Sequence, residues 1–348
     1  MTLREKAAQV LLVSFDGTSA TPITRERLSA APPGGLLLLG RNVTGAAQLR
    51  SLTAALQETV ASAGGPALFV AADEEGGPVM RVKEGVPAVP AARVAGASSS
   101  PTAAEALAKG TGLALLGQGV NMVLAPVADV VDDPESFLFD RSYGSTPDVV
   151  SSFVAAVTRG FGNAGMVTVV KHFPGHGSAP ENSHTSLPVS TATRAEFEAV
   201  HLPPFKAAIQ AGADGIMVGH FVAPAFDATR VASQSAPIID DLLRGDLGFD
   251  GLVVSDDLEM AAAAGRPGAV GTASISELGT LAVASLAAGC DLLITTSTLA
   301  RQTAIEQAIV DAVRTGTLSQ ERLDQAVASI LLVKTAHSLS VPGVTSPN

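Results

Sequence analysis

MVTVVKHFPGHG (166–177) decides the fold: a short apolar run without polar alternation breaks at once into Lys171, His172, Pro174 and Gly175. Continuous apolarity predicts a strand covered on both faces, as in a parallel sheet flanked by helices. The pattern recurs in VLLVSF (10–15), GGLLLLG (34–40), ALFVAADEEGG (67–77), VNMVLAPVADV (120–130), DGIMVGHF (214–221), GLVVSDDLEM (251–260) and CDLLITTST (290–298). Helical spacing fills 46–63, 101–119, 148–165, 192–213 and 274–289, and Gly165, Gly212 and Gly289 stand where a helix should end before the next strand. The opening MTLREKAAQVLLV reads as a helix leading into a strand, and the Pro/Ala/Ser stretch 84–103 as a loop or linker. Eight strands alternating with helices, with no Gly/Ser-rich linker, predict an α/β fold: a single closed (β/α)8 barrel of the TIM type rather than an open doubly wound sheet. Residues 1–337 are expected to form that domain and 338–348 a poorly ordered tail.

Composition narrows the function. The chain has 348 residues, 47% hydrophobic and 16% charged, with a net charge of −11 and no Lys/Arg cluster, so a nucleic-acid partner is not expected. Trp is absent and Tyr occurs once, which disfavours stacking platforms and points any sugar site toward a polar pocket. The single Cys290 reads as a small buried residue at a strand start, not a redox centre. No apolar stretch has membrane-spanning length. Cytoplasmic residence is the expectation, with a secreted or lipid-anchored protein whose leader is missing from this chain as the alternative.

Titratable groups gather where the apolar runs end: Asp73-Glu74-Glu75, Asp129, Lys171-His172, His220 and Asp256-Asp257. In a barrel those ends converge on one face, where catalysis sits. The segment 171–188, KHFPGHGSAPENSHTSLP, holds three His, and its Pro and Gly content excludes helix and strand. It is either a rigid loop whose imidazoles satisfy backbone groups or a functional one, and its place on the catalytic face favours function. His172 and His176 are four apart, a zinc spacing when both lie on a helix, but Pro174 and Gly175 break any helix there, so no metal is expected. At 251–260 two adjacent carboxylates end a buried strand. Ser255 or one Asp is expected to cap the following AAAA turn, leaving the other Asp for chemistry. Asp73 and Arg81 in AADEEGGPVMRV could fix hydroxyls by charge-assisted hydrogen bonds, and Asp140-Arg141 reads equally well as a surface ion pair.

In this order the pieces resemble glycoside hydrolase family 3, in its single-barrel β-N-acetylglucosaminidase (β-hexosaminidase) branch. The resemblance runs through GRN (40–42), DEEGGPVMR (73–81), DRSYG (140–144), KHFPGHG (171–177), SH (183–184), LPPF (202–205), MVGH (217–220) and LLRGDLGFDGLVVSDDLEM (242–260). It implies a retaining exo-hydrolase that removes terminal N-acetylglucosamine from peptidoglycan or chitin fragments through a covalent glycosyl-enzyme, with Asp256 as nucleophile and His184 as acid/base. Asp73, Arg81, Arg141, Lys171 and His172 match the positions that hold the sugar. The resemblance implies no cofactor, a small carbohydrate as partner, and a monomer.

Two positions depart from that pattern. Where the family has an Asp two residues before the catalytic His, this chain has Asn182, which can accept a hydrogen bond from the imidazole but brings no charge to stabilise imidazolium. In a serine-protease triad, the standard worked case, the analogous change lowers turnover by about 10⁴-fold. An engineered substitution, compensation by Glu181 and a naturally weakened hydrolase are the alternatives. Pro78 replaces an Arg usual after the EGG element, which bears on the outer pocket. Two further readings stand beside hydrolysis: a β-N-acetylglucosaminide phosphorylase, because a histidine acid/base repels phosphate less than a carboxylate, and a barrel that binds aminosugars with little turnover.

Overall fold

A computed structural model describes residues 1–179, 181–265 and 273–339. Eight strands form a closed, all-parallel barrel in sequence order: β1 Leu11–Val13, β2 Gly35–Leu38, β3 Phe69–Ala72, β4 Met122–Val123, β5 Val167–Phe173, β6 Gly215–Val218, β7 Leu252–Asp257 and β8 Leu292–Thr295, which pairs back onto β1. Each lies inside one of the apolar runs, so the (β/α)8 barrel expected from the sequence is the fold. Nearly every strand residue is buried, because side chains facing inward fill the barrel and those facing outward meet helices. Space is tight enough that a Cβ on Gly35 would lie 2.6 Å from the Phe69 Cβ.

Helices Ala46–Ser62, Pro101–Leu116, Pro147–Gly162 and Ile275–Ala287 agree with the helical spacing to within a few residues, and Gly165, Gly212 and Gly289 all adopt positive φ after their helices. Ser274 and Glu277 form a capping box that starts the helix before β8. Helices Leu299–Thr315 and Gln320–Ala336 close the barrel's outer layer.

Three expectations need correction. The segment 192–213 is not one helix: a single turn at Arg194–Glu196 passes through a π-turn at Phe197–His201, and Pro203 restarts the chain as Pro203–Gln210. Pro203 and Pro204 lack N–H groups, so no continuous ladder can cross them. The stretch 84–103 contains a helix, Ala92–Ser98, whose Ala92 and Ala95 are buried. Gly96 lets it sit against the Tyr143 carbonyl, which a Cβ there would approach to 1.8 Å. The strand β5 runs on through Lys171, His172 and Phe173, so the loop starts at Pro174 and contains a 3-10 turn at His176–Ser178. The expected tail falls almost wholly outside the described residues, which include only its Ser338 and Leu339.

Charges at the amino ends of the strands are structural. Lys334 is fully buried, its Nζ donating to Gln9 Oε1 at 2.6 Å, and burial pushes its pKa down to about 7. Asp291, just before β8, accepts from Arg244 and Arg322. Cys290 is buried beside it. Among the described residues no helix is long and apolar enough to cross a membrane.

Candidate active site

The carboxyl ends of the strands enclose a cavity of about 290 Å³. Asp73, Arg81, Arg141, Lys171, His172, His184 and Asp256 all line it, although their sequence separations reach 183 residues between the first and last, from position 73 to 256. The barrel does this by delivering the end of each strand to one rim.

On the β3–β5 side the groups lock one another. Lys171 Nζ lies 2.8 Å from Asp73 Oδ1 and 2.6 Å from Glu75 Oε1. Arg141 holds Glu75 with both arms of its guanidinium, Nε at 2.7 Å and Nη2 at 2.9 Å. Arg81 Nη2 donates to Asp73 Oδ2 at 3.1 Å. Burial pushes the Glu75 carboxyl up, but Lys171 and Arg141 outweigh it and hold the group down at about 2. Asp73 is likewise lowered against its own burial by Lys171 and Arg81. Arg141 thus pairs with Glu75 rather than making a surface pair with its neighbour Asp140. Glu74 turns the other way: Oε1 accepts the Arg81 and Val82 N–H groups, and burial lifts its pKa to about 7.

His172 is fixed from behind. Asp129, wholly buried at the end of the β4 segment, sits 2.7 Å from His172 Nδ1 and also accepts the Gly177 N–H. A carboxylate can only accept, so Nδ1 carries the proton and Nε2 is the ring's free nitrogen. Gly177 is required here, since a Cβ would come within 2.2 Å of the Val130 carbonyl. His176 does not reach the cavity. It is buried against Phe137, Phe221 and the His172 ring, and burial drops it to about 4, so it is neutral. No cluster of three metal-type ligands occurs among the described residues.

The two carboxylates ending β7 have separate environments. Asp257 accepts from the Glu259 and Thr296 N–H groups and from the Thr296 hydroxyl, and burial raises its pKa to about 6. Among the described residues the Asp256 carboxylate has one hydrogen bond, from the Asp257 N–H at 2.8 Å. Its burial favours protonation, but His172, His220, that N–H and His184 outweigh it, so Asp256 is ionised below its ordinary 3.8. His220 Nε2 must donate to the Asp257 carbonyl at 3.1 Å, and its Nδ1 then accepts from Ser233. The AAAA turn is a 3-10 turn at Ala261–Ala264 whose cap, Met260, makes no side-chain bond, so neither Ser255 nor an Asp caps it. Ser255 instead bridges the Asp256 carbonyl and the Ile294 N–H.

His184 lines the cavity from the loop that follows β5, its ring edge-on to Phe137 with centroids 6.4 Å apart. The residue is exposed, yet the cavity wall crowds its ring: desolvation lowers its pKa below 6.5 and the Asp256 charge offsets only part. Among the described residues no hydrogen bond joins the Asn182 side chain to the imidazole. Its Oδ1 accepts the backbone N–H of His184 at 3.0 Å, and its carbonyl accepts from the Thr185 and Ser186 N–H groups, so Asn182 caps a turn. Glu181 is exposed, and no bond joins it to His184 among the described residues. Glu75, Asp129, Thr296 and Phe137 belong to the site beyond the residues to which the resemblance gives a role. The first two carried a signal, as acids ending apolar runs; Phe137 carried none.

The chain matches the Glycosyl hydrolase family 3 N terminal domain over residues 2–333. A β-hexosaminidase of Xylella fastidiosa strain M12 is 36% identical over 291 residues, 82% of each chain, and one of Chromobacterium violaceum is 34% identical over 290 residues, 82% of this chain and 77% of that one. Among solved structures, a family 3 β-N-acetylglucosaminidase from Paenibacillus sp. FPU-7 superposes with a TM-score of 0.92 at 34% identity, covering all of this chain and 65% of that one. A β-N-acetylhexosaminidase from Beutenbergia cavernae gives 0.86 at 30% identity, covering 97% and 99%. A likeness of this extent, in sequence and in the barrel alike, answers what the convergent strand ends are for: the chain belongs to glycosyl hydrolase family 3.

Proposed function

We propose that the chain is a retaining exo-β-N-acetylglucosaminidase, acting on non-reducing ends such as those of chitin or peptidoglycan fragments. The observation that carries this reading is Asp256: an ionised carboxylate, with one hydrogen bond among the described residues, that lines one cavity with the interlocked Asp73, Glu75, Arg141 and Lys171. Those groups hold hydroxyls by charge-assisted hydrogen bonds without having to reorganise. Asp256 attacks the anomeric carbon while the glycosidic C–O bond breaks, and the leaving oxygen takes a proton from His184. Water then gives its proton back to His184 and displaces Asp256 with a second inversion, so configuration is retained.

The names of the relatives support the N-acetylglucosaminide preference, and the lone position of His184 supports slow turnover on substrates whose leaving group needs the proton. Incubation with 4-nitrophenyl β-N-acetylglucosaminide tests the proposal, with the glucoside as control and the product anomer followed by NMR. Release of β-N-acetylglucosamine as the first product is expected. No turnover, or first formation of the α-anomer, overturns it, and a sugar 1-phosphate appearing on addition of phosphate would replace hydrolysis with phosphorolysis.

A further inference from the structure

Two pairs of neighbouring residues, Lys171-His172 and Asp256-Asp257, line one cavity, although successive side chains of a regular strand point to opposite faces. Both pairs sit at a register shift. From Val254 to Asp257, β7 advances three residues while β8 advances two, from Leu292 to Ile294. From Val170 to Phe173, β5 does the same against Ile216 to Val218 of β6. An extra residue of this kind re-aims side chains and interrupts the ladder, so the peptides at the shift need other partners.

In β7 that partner is Ser255, which is fully buried and does not line the cavity. Its Oγ accepts the Ile294 N–H of β8 at 3.2 Å and donates to the Asp256 carbonyl at 2.8 Å. That carbonyl belongs to the same peptide unit as the Asp257 N–H, which donates to Asp256 Oδ1 at 2.8 Å. A peptide is planar, so a bond that fixes the direction of its carbonyl also fixes its N–H. We propose that Ser255 is a positioning residue for Asp256: by tying the Asp256–Asp257 peptide to β8 it aims the N–H that holds Oδ1 and leaves Oδ2 to attack. What Asp256 does rests on the glycosidase reading above; how it is held does not. The neighbouring groups grip the next residue. Thr296 gives its N–H and hydroxyl to the Asp257 carboxylate, and His220 Nε2 donates to the Asp257 carbonyl at 3.1 Å while lying close to the Asp256 carbonyl as well. His220 is thus the competing explanation for the orientation of the peptide.

Without the hydroxyl the peptide can turn and Oδ1 loses its donor, and a carboxylate that loses a hydrogen bond to its charged form titrates higher. The titratable groups that face Asp256 are His172 and His176 from β5 and its loop, His184, His220 and Asp257, and a substitution at Ser255 alters none of them. A nucleophile must be ionised, so kcat/KM falls as pH drops through the Asp256 pKa. The test compares Ser255→Ala with Ser255→Thr, which keeps the hydroxyl, and with the nearly isosteric Ser255→Cys, which carries the comparison if the alanine variant does not fold. Carbon-13 NMR of aspartate-labelled protein titrates the Asp256 carboxyl directly, its signal assigned through Asp256→Asn, and kcat/KM for 4-nitrophenyl β-N-acetylglucosaminide is followed over the same pH range. In the alanine or cysteine variant the Asp256 titration and the acid limb should both move up by about one unit, with kcat/KM at pH 7 lowered about tenfold or more and the threonine variant close to the wild type. An Asp256 that titrates as in the wild type overturns the inference even if the melting temperature falls, because a merely structural role moves stability and not the carboxyl; the hold on the peptide then belongs to His220. If the titration moves but the wild type cleaves no glycoside, the glycosidase reading fails and the positioning stands. If the wild type cleaves and the titration does not move, the positioning fails and the glycosidase reading stands.

Discussion

The two sides of the cavity are built on different terms. On the β3–β5 side, Asp73, Glu75, Arg141 and Lys171 are buried or nearly so, each bound to at least one opposite charge within 2.9 Å. His184, by contrast, rides on a short turn in which the Asn182 side chain holds the backbone and makes no hydrogen bond to the ring. The first arrangement has its geometry set by its own ion pairs; the second would have to find its geometry when a substrate arrives. On the proposed roles binding is therefore preorganised and proton transfer is not, and the expected variants separate the two.

The largest effect belongs to neither side. Removing the proposed nucleophile, Asp256→Ala, should lower kcat by about 10⁴-fold or more, because on the proposed mechanism the covalent route disappears. Activity within tenfold of the wild type would move the nucleophile elsewhere. His184→Ala should lower kcat/KM by about 10³-fold on alkyl glycosides, whose oxygen needs the proton, and far less on a 4-nitrophenyl glycoside, whose leaving group departs as the anion. Equal losses on both substrates would remove His184 from the acid role.

Glu75→Gln sharpens the comparison from the binding side. It strips Arg141 of its bidentate carboxylate and Lys171 of one of two partners, leaving buried positive charge uncompensated at a cost of about 3 kcal/mol. Thermal unfolding should move down by several degrees and KM should rise about a hundredfold, with a smaller change in kcat. A variant with the wild-type melting point would show the network to be loose.

How far the sequence foretold these two sides differs for a physical reason. Strands announce themselves by unbroken apolarity, and catalytic groups at their ends are legible because charge after a buried run needs a polar destination. That logic exposed Asp73, Lys171-His172 and Asp256, and it placed the barrel. It could not show that Glu74 turns away while Glu75 turns in, nor that Arg141 crosses from the β4 loop to Glu75, since those depend on backbone paths between strands. The helix Ala92–Ser98 was invisible for a simpler reason: two turns of small residues among prolines give no periodic signal. On the loop, the sequence named the residues but not their bonds. Asn182 looked like a substitute partner for the imidazole, and its amide is spent instead on the backbone of its own turn.

That turn sets up the smallest and most discriminating change, Asn182→Asp. The carboxylate keeps an acceptor for the His184 N–H, so the turn should persist, and it adds a negative charge two residues from the ring. An opposite charge favours imidazolium, and therefore raises the His184 pKa from its present value below 6.5. As the proposed proton donor, His184 must be charged, so kcat/KM on an alkyl glycoside should fall as pH rises through that pKa, by about tenfold per unit beyond it. An upward shift of about one unit thus moves the alkaline limb with it and raises kcat/KM at pH 7 by up to about tenfold, with no change at pH values below both limbs. On a 4-nitrophenyl glycoside the same variant should leave the alkaline limb of kcat/KM nearly where it was, because no proton is owed to that leaving group. If Asn182→Asp instead changes both substrates alike, or lowers KM without moving the limb, the residue acts on the shape of the turn and the weakness of this side of the cavity lies in the loop's reach rather than in its missing charge.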